Sequence, residues 1–399
     1  MHIYTFLAAR SGALLLTGLL VCLTACSKGN SNRATDPAAA CSDSPGVLCT
    51  WAGSGEAGFN GDGRPLLDSS LYWPIDLTIT PQGTAYIVDW NNHRIRRVTQ
   101  DGQLATAIGT DFVGDGPYDE SDQDAPGVLG TEVHLNHPTH LLPLADGTLL
   151  LTSWHNHKLR LYDSSSGLVQ IICGAEPGFA GDGGPARQAR LSQPPQTALG
   201  PDGSLYVLDQ RNQRIRRIDP ERIITTAAGR GEAGFSGDGG PPLQAQFNWP
   251  AGNNPPPAGS LVFGPDGCLY IADGLNHRIR RIDFDLDRID TVAGNGQAGF
   301  AGDGGPPLQA SLHNPRDLVF GPDGRLYIAD ELNHRIRRID FDLDRIDTVA
   351  GNGQAGFAGD GGPAPLARLN RPAGLEFDAN GLLYIADTYN HRIRRLAPQ

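Results

Sequence analysis

One segment of this 399-residue sequence recurs six times, and that repetition constrains the fold more than any other feature. Its marker is the His of an Asn-His-Arg signature, replaced by Gln in the third copy. Spacings of 64, 56, 64, 57 and 57 residues separate the markers His93, His157, Gln213, His277, His334 and His391. Residues Leu275–Pro306 are identical to Leu332–Pro363. Such self-similarity is typical of architectures in which each unit buries a face against its neighbours.

Each copy is predicted to form four short strands, which we name a to d in chain order. In the fifth copy, Leu318–Phe320 is strand a, Leu326–Ala329 is strand b, His334–Ile339 is strand c and Ile346–Ala350 is strand d. A Gly-Pro-Asp-Gly sequence between strands a and b is a tight hairpin turn. The 52 Gly and 30 Pro residues of the chain fit many short strands with tight turns. Six such units predict an all-β, six-bladed β-propeller.

The two ends of the repeat region indicate how the ring closes. The sixth copy stops just after strand c and lacks strand d, whereas residues 47–53, ahead of the first copy, match the strand d pattern. We therefore expect the N-terminal strand to complete the C-terminal blade, which leaves no unfinished blade at the seam.

These repeats resemble the NHL-repeat family, whose name comes from the Asn-His-Leu-type signature after strand b. The resemblance runs from Val47 to the C-terminus. The full unit, with its Ala-Gly-Asn-Gly-Gln-Ala-Gly-Phe-Ala-Gly-Asp-Gly-Gly-Pro sequence, is similar to bacterial secreted NHL repeats and to the NHL region of teneurins. This resemblance implies a propeller but no single activity.

The first 25 residues are predicted to be a lipoprotein signal peptide. An apolar run, Gly12–Val21, is followed by Leu-Thr-Ala-Cys26, which resembles the bacterial lipobox. Cys26 is thus the predicted lipidation site and membrane anchor, residues 26–46 a flexible tether, and residues 47–399 the propeller. We expect an exported protein held on the cell envelope, at the outer membrane if the cell has two membranes, as Ser27 suggests by resemblance.

Four cysteines remain once Cys22 leaves with the signal peptide and Cys26 carries lipid. Cys41 and Cys49 are close enough to close a small disulfide loop in an oxidising compartment. Cys173 and Cys268 stand at unrelated points of different repeats and are expected to be free and buried. No cysteines have the spacing of a zinc site.

The residues that recur in every blade are interpreted as structural. The Asp that ends strand b, replaced by Ser153 in the second copy, is expected to accept hydrogen bonds from the backbone N–H groups of the turn that follows. The marker histidines lie once per blade and so cannot converge on one atom. Each Gly-Phe-x-Gly-Asp-Gly-Gly loop offers one carboxylate, which indicates a turn, not a calcium site. The carboxylates interpreted in this way as structural are Asp89, Asp209, Asp273, Asp330 and Asp387 on strand b, and Asp62, Asp182, Asp238, Asp303 and Asp360 in the loops.

The charge pattern argues against a nucleic-acid partner. The formal net charge is −12, and 17 of the 32 Lys and Arg residues are spread evenly over the six strands c. We expect the Arg stems to pack between blades while their guanidiniums meet nearby Asp carboxylates.

The residue just after the Pro of strand a is expected to face the central channel. By alignment these positions are Asp76, His140, Gln196, Ser260, Asp317 and Gly374. They form a mixed polar ring, which suits a small ligand or an ion. No cofactor is predicted beyond a channel calcium or zinc ion as the alternative. The neighbouring His134 and His137 are spaced so that the three imidazoles do not share one side of an extended segment.

Two copies break the period, and these insertions are where recognition is expected. The second carries an acidic insertion around Asp111–Thr131, and the fourth carries Ala251–Ala258 before its strand a. The sequence favours a non-enzymatic binding scaffold for an envelope protein or glycan. The alternatives are a metal-dependent lyase or lactonase-like hydrolase with its site near His140 and Asp317, and a purely architectural spacer. Near-identical fourth and fifth copies favour binding or architecture, because catalysis needs blades that differ.

Overall fold

A computed structural model describes residues 44–116, 127–252 and 255–397. The chain first forms strand β1 (Val47–Ala52). Blade 1 follows with β2 (Arg64–Pro65), β3 (Pro74–Ile79), β4 (Ala85–Asp89), β5 (Arg94–Val98) and β6 (Gln103–Ile108). Blade 2 has β7 (Val128–Leu129), β8 (Pro138–Pro143), β9 (Thr148–Ser153), β10 (Lys158–Asp163) and β11 (Leu168–Cys173). Blade 3 has β12 (Gly184–Pro185), β13 (Thr197–Leu199), β14 (Leu205–Asp209), β15 (Arg214–Ile218) and β16 (Ile223–Ala228).

The second half of the chain repeats this order. Blade 4 has β17 (Leu261–Phe263), β18 (Leu269–Asp273), β19 (Arg278–Asp283) and β20 (Arg288–Ala293). Blade 5 has β21 (Pro315–Phe320), β22 (Leu326–Asp330), β23 (Arg335–Asp340) and β24 (Arg345–Ala350). Blade 6 has β25 (Gly362–Pro363), β26 (Pro372–Phe377), β27 (Leu383–Asp387) and β28 (Arg392–Leu396). The described residues thus form six antiparallel sheets, which confirms the predicted six-bladed propeller.

Blade 6 takes its outer strand from the N-terminal side of the chain. Strand β1 pairs antiparallel with β28, with Leu48 opposite Leu396 and Cys49 opposite Arg395. The pairing gives the outer edge of β28 a hydrogen-bonded neighbour. Leu48 is fully buried, so the strand also contributes apolar surface to the core.

Short 3-10 turns precede strand a, the inner strand of each blade, and follow strand b. One set lies in the loops that enter the blades: Leu66–Asp68, Gly130–Glu132, Ala186–Gln188, Pro242–Gln244, Pro307–Gln309 and Ala364–Leu366. The other follows strand b, at Trp90–Asn92, Gln210–Asn212, Gly274–Asn276, Glu331–Asn333 and Thr388–Asn390. Within the three described stretches, no helix is long and apolar enough to span a membrane.

The hydrophobic core lies between blades. Each strand b is buried on both faces, and six clusters of buried side chains each join two neighbouring blades. At the junction of blades 6 and 1, for example, Leu77 and Ile87 share a cluster with Tyr384 and Ile393. This is why strand b has an unbroken apolar sequence instead of an alternating one.

The inner strands of blades 3 and 4 are three residues long, whereas the other four have six. Each of the four longer inner strands begins at a single proline, whereas blade 3 has a second one, Pro195, directly after Pro194, and blade 4 has three, Pro255–Pro257, in its insertion. Proline has no backbone N–H to donate to a neighbouring strand, so the sheet pairing starts later in these two blades.

Candidate functional site

The Asp that ends strand b ties three segments of its blade together. In blade 1, Asp89 Oδ1 accepts a hydrogen bond from the backbone N–H of Tyr72, and Oδ2 accepts one from Asn92 Nδ2, both at 2.8 Å. The fully buried Arg96 lies 3.4 Å from the same Oδ2. Burial raises the pKa of Asp89 to about 6, against the opposing effect of Asn92, Tyr72 and Arg96. The same contacts recur at Asp209, Asp273, Asp330 and Asp387.

Two details of the sequence interpretation of this position are wrong. The backbone N–H comes from the loop before strand a, 17 residues upstream in blade 1, and not from the turn that follows. Ser153 does not take over the role in blade 2, because its buried Oγ has no partner among the described residues. Asn156 replaces it: its Oδ1 accepts from the backbone N–H of Asn136 at 3.0 Å and from Arg160 at 3.4 Å. A serine side chain is one atom too short to reach those donors.

The Gly-Phe-x-Gly-Asp-Gly-Gly loops cover the arginines of strand c. In blade 5 the guanidinium carbons of Arg335 and Arg337 lie 3.7 and 4.9 Å from the ring centre of Phe300, and Asp303 lies 2.7 Å from Arg337. The equivalents are Phe59, Phe179, Phe235 and Phe357 with Asp62, Asp182, Asp238 and Asp360. The degenerate loop of blade 2 keeps Asp115, which pairs with Arg160 and Lys158. These carboxylates are therefore occupied by buried arginines.

The marker histidines join neighbouring blades. His93 has a left-handed backbone, with φ of 54°, and its Nδ1 accepts a hydrogen bond from the backbone N–H of His137 in blade 2 at 3.0 Å. Burial, together with His155 and Arg94, lowers the pKa of His93 to about 4, which keeps the ring neutral as an acceptor. Gln213 makes the same contact through Oε1, which accepts from Trp249 at 3.0 Å. Equivalent bonds are made by His157, His277, His334 and His391.

Four of the predicted channel residues line one cavity. Asp76, His140, Gln196 and Asp317 border a space of about 290 Å³ along the inner strands. The same four and Gly374 border a second, narrow space of about 20 Å³. The remaining predicted residue, Ser260, is fully buried and donates a hydrogen bond to Asp317 at 2.8 Å. The alignment of the repeats therefore selected residues that the fold brings together.

An ion pair in the channel joins His140 to Asp76. Nδ1 of His140 lies 2.8 Å from Oδ2 of Asp76. Burial opposes protonation of the ring, but Asp76, with Asp317 and Glu376, raises the pKa of His140. His134 and His137 have other surroundings: Nδ1 of His134 lies 2.6 Å from Thr110 Oγ1, and that of His137 lies 2.7 Å from Asn136 Oδ1.

The channel residues fit a metal ion poorly. Asp317 Oδ1 accepts hydrogen bonds from Gln196 and Ser260 at 2.9 and 2.8 Å, and Oδ2 accepts one from the backbone N–H of Leu375 at 2.8 Å. Both oxygens are thus engaged by protein donors. Among the described residues, no group of three or more His, Cys, Asp or Glu side chains is arranged to hold a metal.

Glu376 is a channel residue that the sequence alignment missed. It lines the larger cavity, and its Oε1 accepts hydrogen bonds from Thr78 Oγ1 at 3.3 Å and from the backbone N–H of Ile79 at 3.2 Å. Burial, followed by the charge of Asp76, raises the pKa of Glu376 to about 8 despite these hydrogen bonds. Strand alternation was the available signal, because Glu376 stands two residues after Gly374 and so faces the same way.

An aromatic surface was also missed. At the end of the propeller where strands a begin and strands b end, aromatic rings of blades 6, 1 and 2 form a continuous cluster, which we call the aromatic face. Trp73 stacks on Tyr389 with ring centres 5.1 Å apart, and it lies 5.8 Å from Trp90. Trp90 contacts His137 at 4.4 Å. The cluster consists of Trp73, Trp90, His137, His155 and Tyr389, together with Trp154, which is fully buried and so does not contribute to the surface.

The aromatic face occupies positions that differ from blade to blade. The residue before the Pro of strand a is Trp73, His137, Gln193, Trp249, Asn314 or Arg371. The residue after strand b is Trp90, Trp154, Gln210, Gly274, Glu331 or Thr388. Even blades 4 and 5, which share a stretch of 32 identical residues, differ at both positions. The signal that would have revealed this face is the variation between copies, since the alignment followed what the copies share.

The remaining predicted sites are described only in part. Cys49 is disulfide-bonded, whereas Cys173 and Cys268 are free and buried, as expected. Cys26 and Cys41 lie outside the described residues, as does the middle part of the acidic insertion of blade 2 (117–126). Phe112 and Val113, where that insertion begins, are 70% and 54% exposed.

Comparison with known proteins gives the repeats a family. A family model described as NHL repeat matches residues 71–98, 312–339 and 369–396. Teneurin-m of Drosophila melanogaster is 27% identical over 359 residues, which cover 81% of this chain and 12% of that protein. NHL repeat-containing protein 2 of Bos taurus is 25% identical over 364 residues, covering 82% and 47%.

The fold has a counterpart among solved structures. A structure named as an auxiliary nutrient binding protein from Bacteroides thetaiotaomicron superposes with a TM-score of 0.60 at 19% identity, covering 87% of this chain and 75% of that one. At this identity the likeness concerns the fold alone. The family model matches three of the repeats and the described residues form six blades, so the chain carries NHL repeats in a six-bladed β-propeller.

Proposed function

We propose that this protein is a lipid-anchored, extracytoplasmic binding scaffold that recognises a protein or glycan with its aromatic face. Cys26 would carry the lipid and residues 26–46 the tether, so that the propeller stands on the envelope, at the outer membrane of a cell with two membranes.

The aromatic face is the observation that carries this proposal. Trp, Tyr and Arg side chains are the groups that most often supply binding energy at interfaces, because they offer large rigid surfaces together with polar atoms. Tyr389 is 38% exposed, and the guanidinium of Arg371 lies 4.8 Å from its ring centre. The exposed Phe112 and Val113 add apolar surface in a neighbouring loop of blade 2.

The division of labour within the repeat supports binding over catalysis. Contacts within each blade engage the Asp, Asn, Arg and Phe side chains of the repeat, and contacts between blades engage the marker His or Gln. The framework is therefore rigid and uniform. Variation is left to the loops at one end. A rigid scaffold that displays varied loops is the arrangement by which many folds build binding surfaces.

The experiment compares two faces of the propeller. Purified protein is applied to a glycan array and to envelope proteins resolved on a membrane, and the affinity for any partner found is measured for Trp73→Ala, Tyr389→Ala and the control Leu286→Ala. Leu286 is 70% exposed in the turn between strands c and d of blade 4, away from the aromatic face. We expect a loss of at least about 2 kcal/mol, roughly 30-fold, for Trp73→Ala and no change for the control. Unchanged affinity in both aromatic variants would contradict the proposal.

The rival function, a metal-dependent lyase or lactonase-like hydrolase, is separated by elemental analysis. If His140 held a catalytic metal, His140→Ala would lose about one metal ion per chain while the fold persisted. We expect the purified protein to contain no stoichiometric calcium or zinc, because the oxygens of Asp317 are already engaged.

A further inference from the structure

The larger channel cavity is built from two layers of inward-facing side chains. The first is the polar ring of Asp76, His140, Gln196 and Asp317. The second lies two residues further along each inner strand: Thr78, Leu142, Ala198, Val262, Val319 and Glu376. Because the inner strands run away from the aromatic face, the second layer lies towards the a–b hairpin turns.

The second layer is strongly asymmetric. Blades 2 to 5 contribute four apolar side chains in succession, whereas blades 6 and 1 contribute the hydrogen-bonded pair Glu376 and Thr78. At ~30 Å³ for each water molecule, a space of about 290 Å³ corresponds to roughly ten waters. An apolar wall with one polar corner is the usual construction of a small-molecule site.

The charges of the lining select the kind of polar group. Asp76 is paired with His140, and Asp317 accepts three hydrogen bonds from protein donors. Glu376 uses only Oε1, and its Oε2 has no hydrogen-bond partner among the described residues. The lining holds three carboxyl groups, whereas its one histidine, His140, is already paired with Asp76, so a cationic ligand group is favoured and would find the free oxygen of Glu376.

We propose that this cavity binds a small organic amine, with its ammonium group on Glu376 and its apolar body against Leu142, Ala198, Val262 and Val319. Burial, followed by the charge of Asp76, raises the pKa of Glu376 to about 8 although His140 opposes the shift, so this carboxyl group is mostly protonated at pH 7. An ammonium ion favours the ionised form, and binding therefore expels the proton of Glu376 into the solvent. The amine itself stays protonated throughout. This site is independent of the aromatic face and of the function proposed for it.

The test uses three probes that share a cyclohexyl ring and differ in their polar group: cyclohexylamine, cyclohexanol and cyclohexanecarboxylate. Isothermal titration calorimetry of the purified protein at pH 7 is performed in phosphate and in HEPES, two buffers that are not primary amines and whose ionisation enthalpies differ, so that released protons are counted. We expect cyclohexylamine to bind most tightly and to release close to one proton. Cyclohexanol should bind at least tenfold more weakly without proton release, and cyclohexanecarboxylate should not bind.

Three variants complete the test. Glu376→Gln should weaken the amine at least tenfold and abolish proton release. Ala198→Phe fills the cavity from the opposite wall and should abolish binding with Glu376 intact, so it keeps the proposal testable if Glu376→Gln does not fold. Glu232→Gln, at an exposed ion pair with Arg230, is the matched control and should behave as the parent. Absence of amine binding, equal affinity for cyclohexanol, or unchanged affinity in folded Glu376→Gln or Ala198→Phe would overturn the proposal.

Discussion

Replacing Arg337 by Leu should reveal how much stability the buried arginines supply. Arg337 is fully buried, 3.5 Å from the equally buried Asp330 and 2.7 Å from Asp303, whose side chain is 35% exposed. Removing the guanidinium leaves the carboxylate of Asp330 without its cation, which costs about 3–5 kcal/mol for a buried pair. Loss of the contact with Asp303, which is partly exposed, adds at most about 1 kcal/mol to this cost. We expect a total loss of about 4 kcal/mol.

The control lies in the same blade. Arg345, 51% exposed, pairs with Asp347 at 2.7 Å, and Arg345→Leu should cost no more than about 1 kcal/mol because water screens the pair. Both variants are unfolded with guanidinium chloride and followed by tryptophan fluorescence and circular dichroism, since coincident curves justify a free energy of unfolding. In the Arg337→Leu background, Asp330→Ser should recover part of the lost unfolding free energy, because it removes the unpaired charge. It also introduces serine, the residue type that blade 2 carries at this place.

The cost of Arg337→Leu should also depend on pH. Burial raises the pKa of Asp330 to about 6, above the ordinary value of 3.8. Its contribution to the free energy of unfolding is therefore fully present below pH 3.8 and is lost as pH rises through 6. Without Arg337 the pKa rises further and the decline extends to higher pH. The variant should therefore lose more stability at pH 8 than at pH 5. Equal losses for Arg337→Leu and Arg345→Leu at pH 8 would refute the assignment of a structural ion pair.

Three further perturbations test other parts of the molecule. The pKa of His93 is lowered to about 4, so its stabilising contact is present above pH 6.5 and is lost as pH falls through 4. In His93→Gln, which copies Gln213, this titration is removed. The slope of the unfolding free energy against pH between pH 4 and 6.5 should therefore fall by up to about 1.4 kcal/mol per pH unit. A slope equal to that of the parent would count against the neutral acceptor. Cys26→Ala should move the protein from the membrane to the soluble fraction without changing its circular dichroism, and continued membrane fractionation would mean that something other than lipid holds it. Deleting residues 47–53 should lower the melting temperature far more than deleting residues 30–40, because only the first removes a paired, buried strand, and equal melting temperatures would contradict ring closure through β1.

The repeated part of the fold was predictable because each constraint is stated six times. The strands of blade 5 begin or end within a few residues of the predicted bounds, and the seam pairs β1 with β28. A chance resemblance in one copy is corrected by the others, as at Gln213, which keeps the hydrogen bond of the histidines without their charge.

The predictions failed where a contact depends on which side chain reaches which atom. Sequence position suggested that Ser153 replaces Asp. The side chain must be long enough to reach the donor groups, however, and the longer Asn156 makes the contact. Glu376 was missed for a related reason: the channel alignment took one residue from each strand, whereas the channel wall is two side chains deep. The aromatic face depends in part on the stack of Trp73 on Tyr389, which joins blades 1 and 6, and these two blades are adjacent only after the ring has closed.

Ring closure therefore links the fold to both proposed sites. The stack of Trp73 on Tyr389 and the hydrogen bond of Thr78 to Glu376 both cross the junction between blades 6 and 1. At this junction the chain arrives from β1, which is part of blade 6, and continues into blade 1. Loss of the β1–β28 pairing would free blade 6 to separate from blade 1, so the aromatic face would lose Tyr389 and the cavity would lose Glu376. The proposed sites can form only in a closed ring, so ligand binding at either one should raise the melting temperature of the whole propeller.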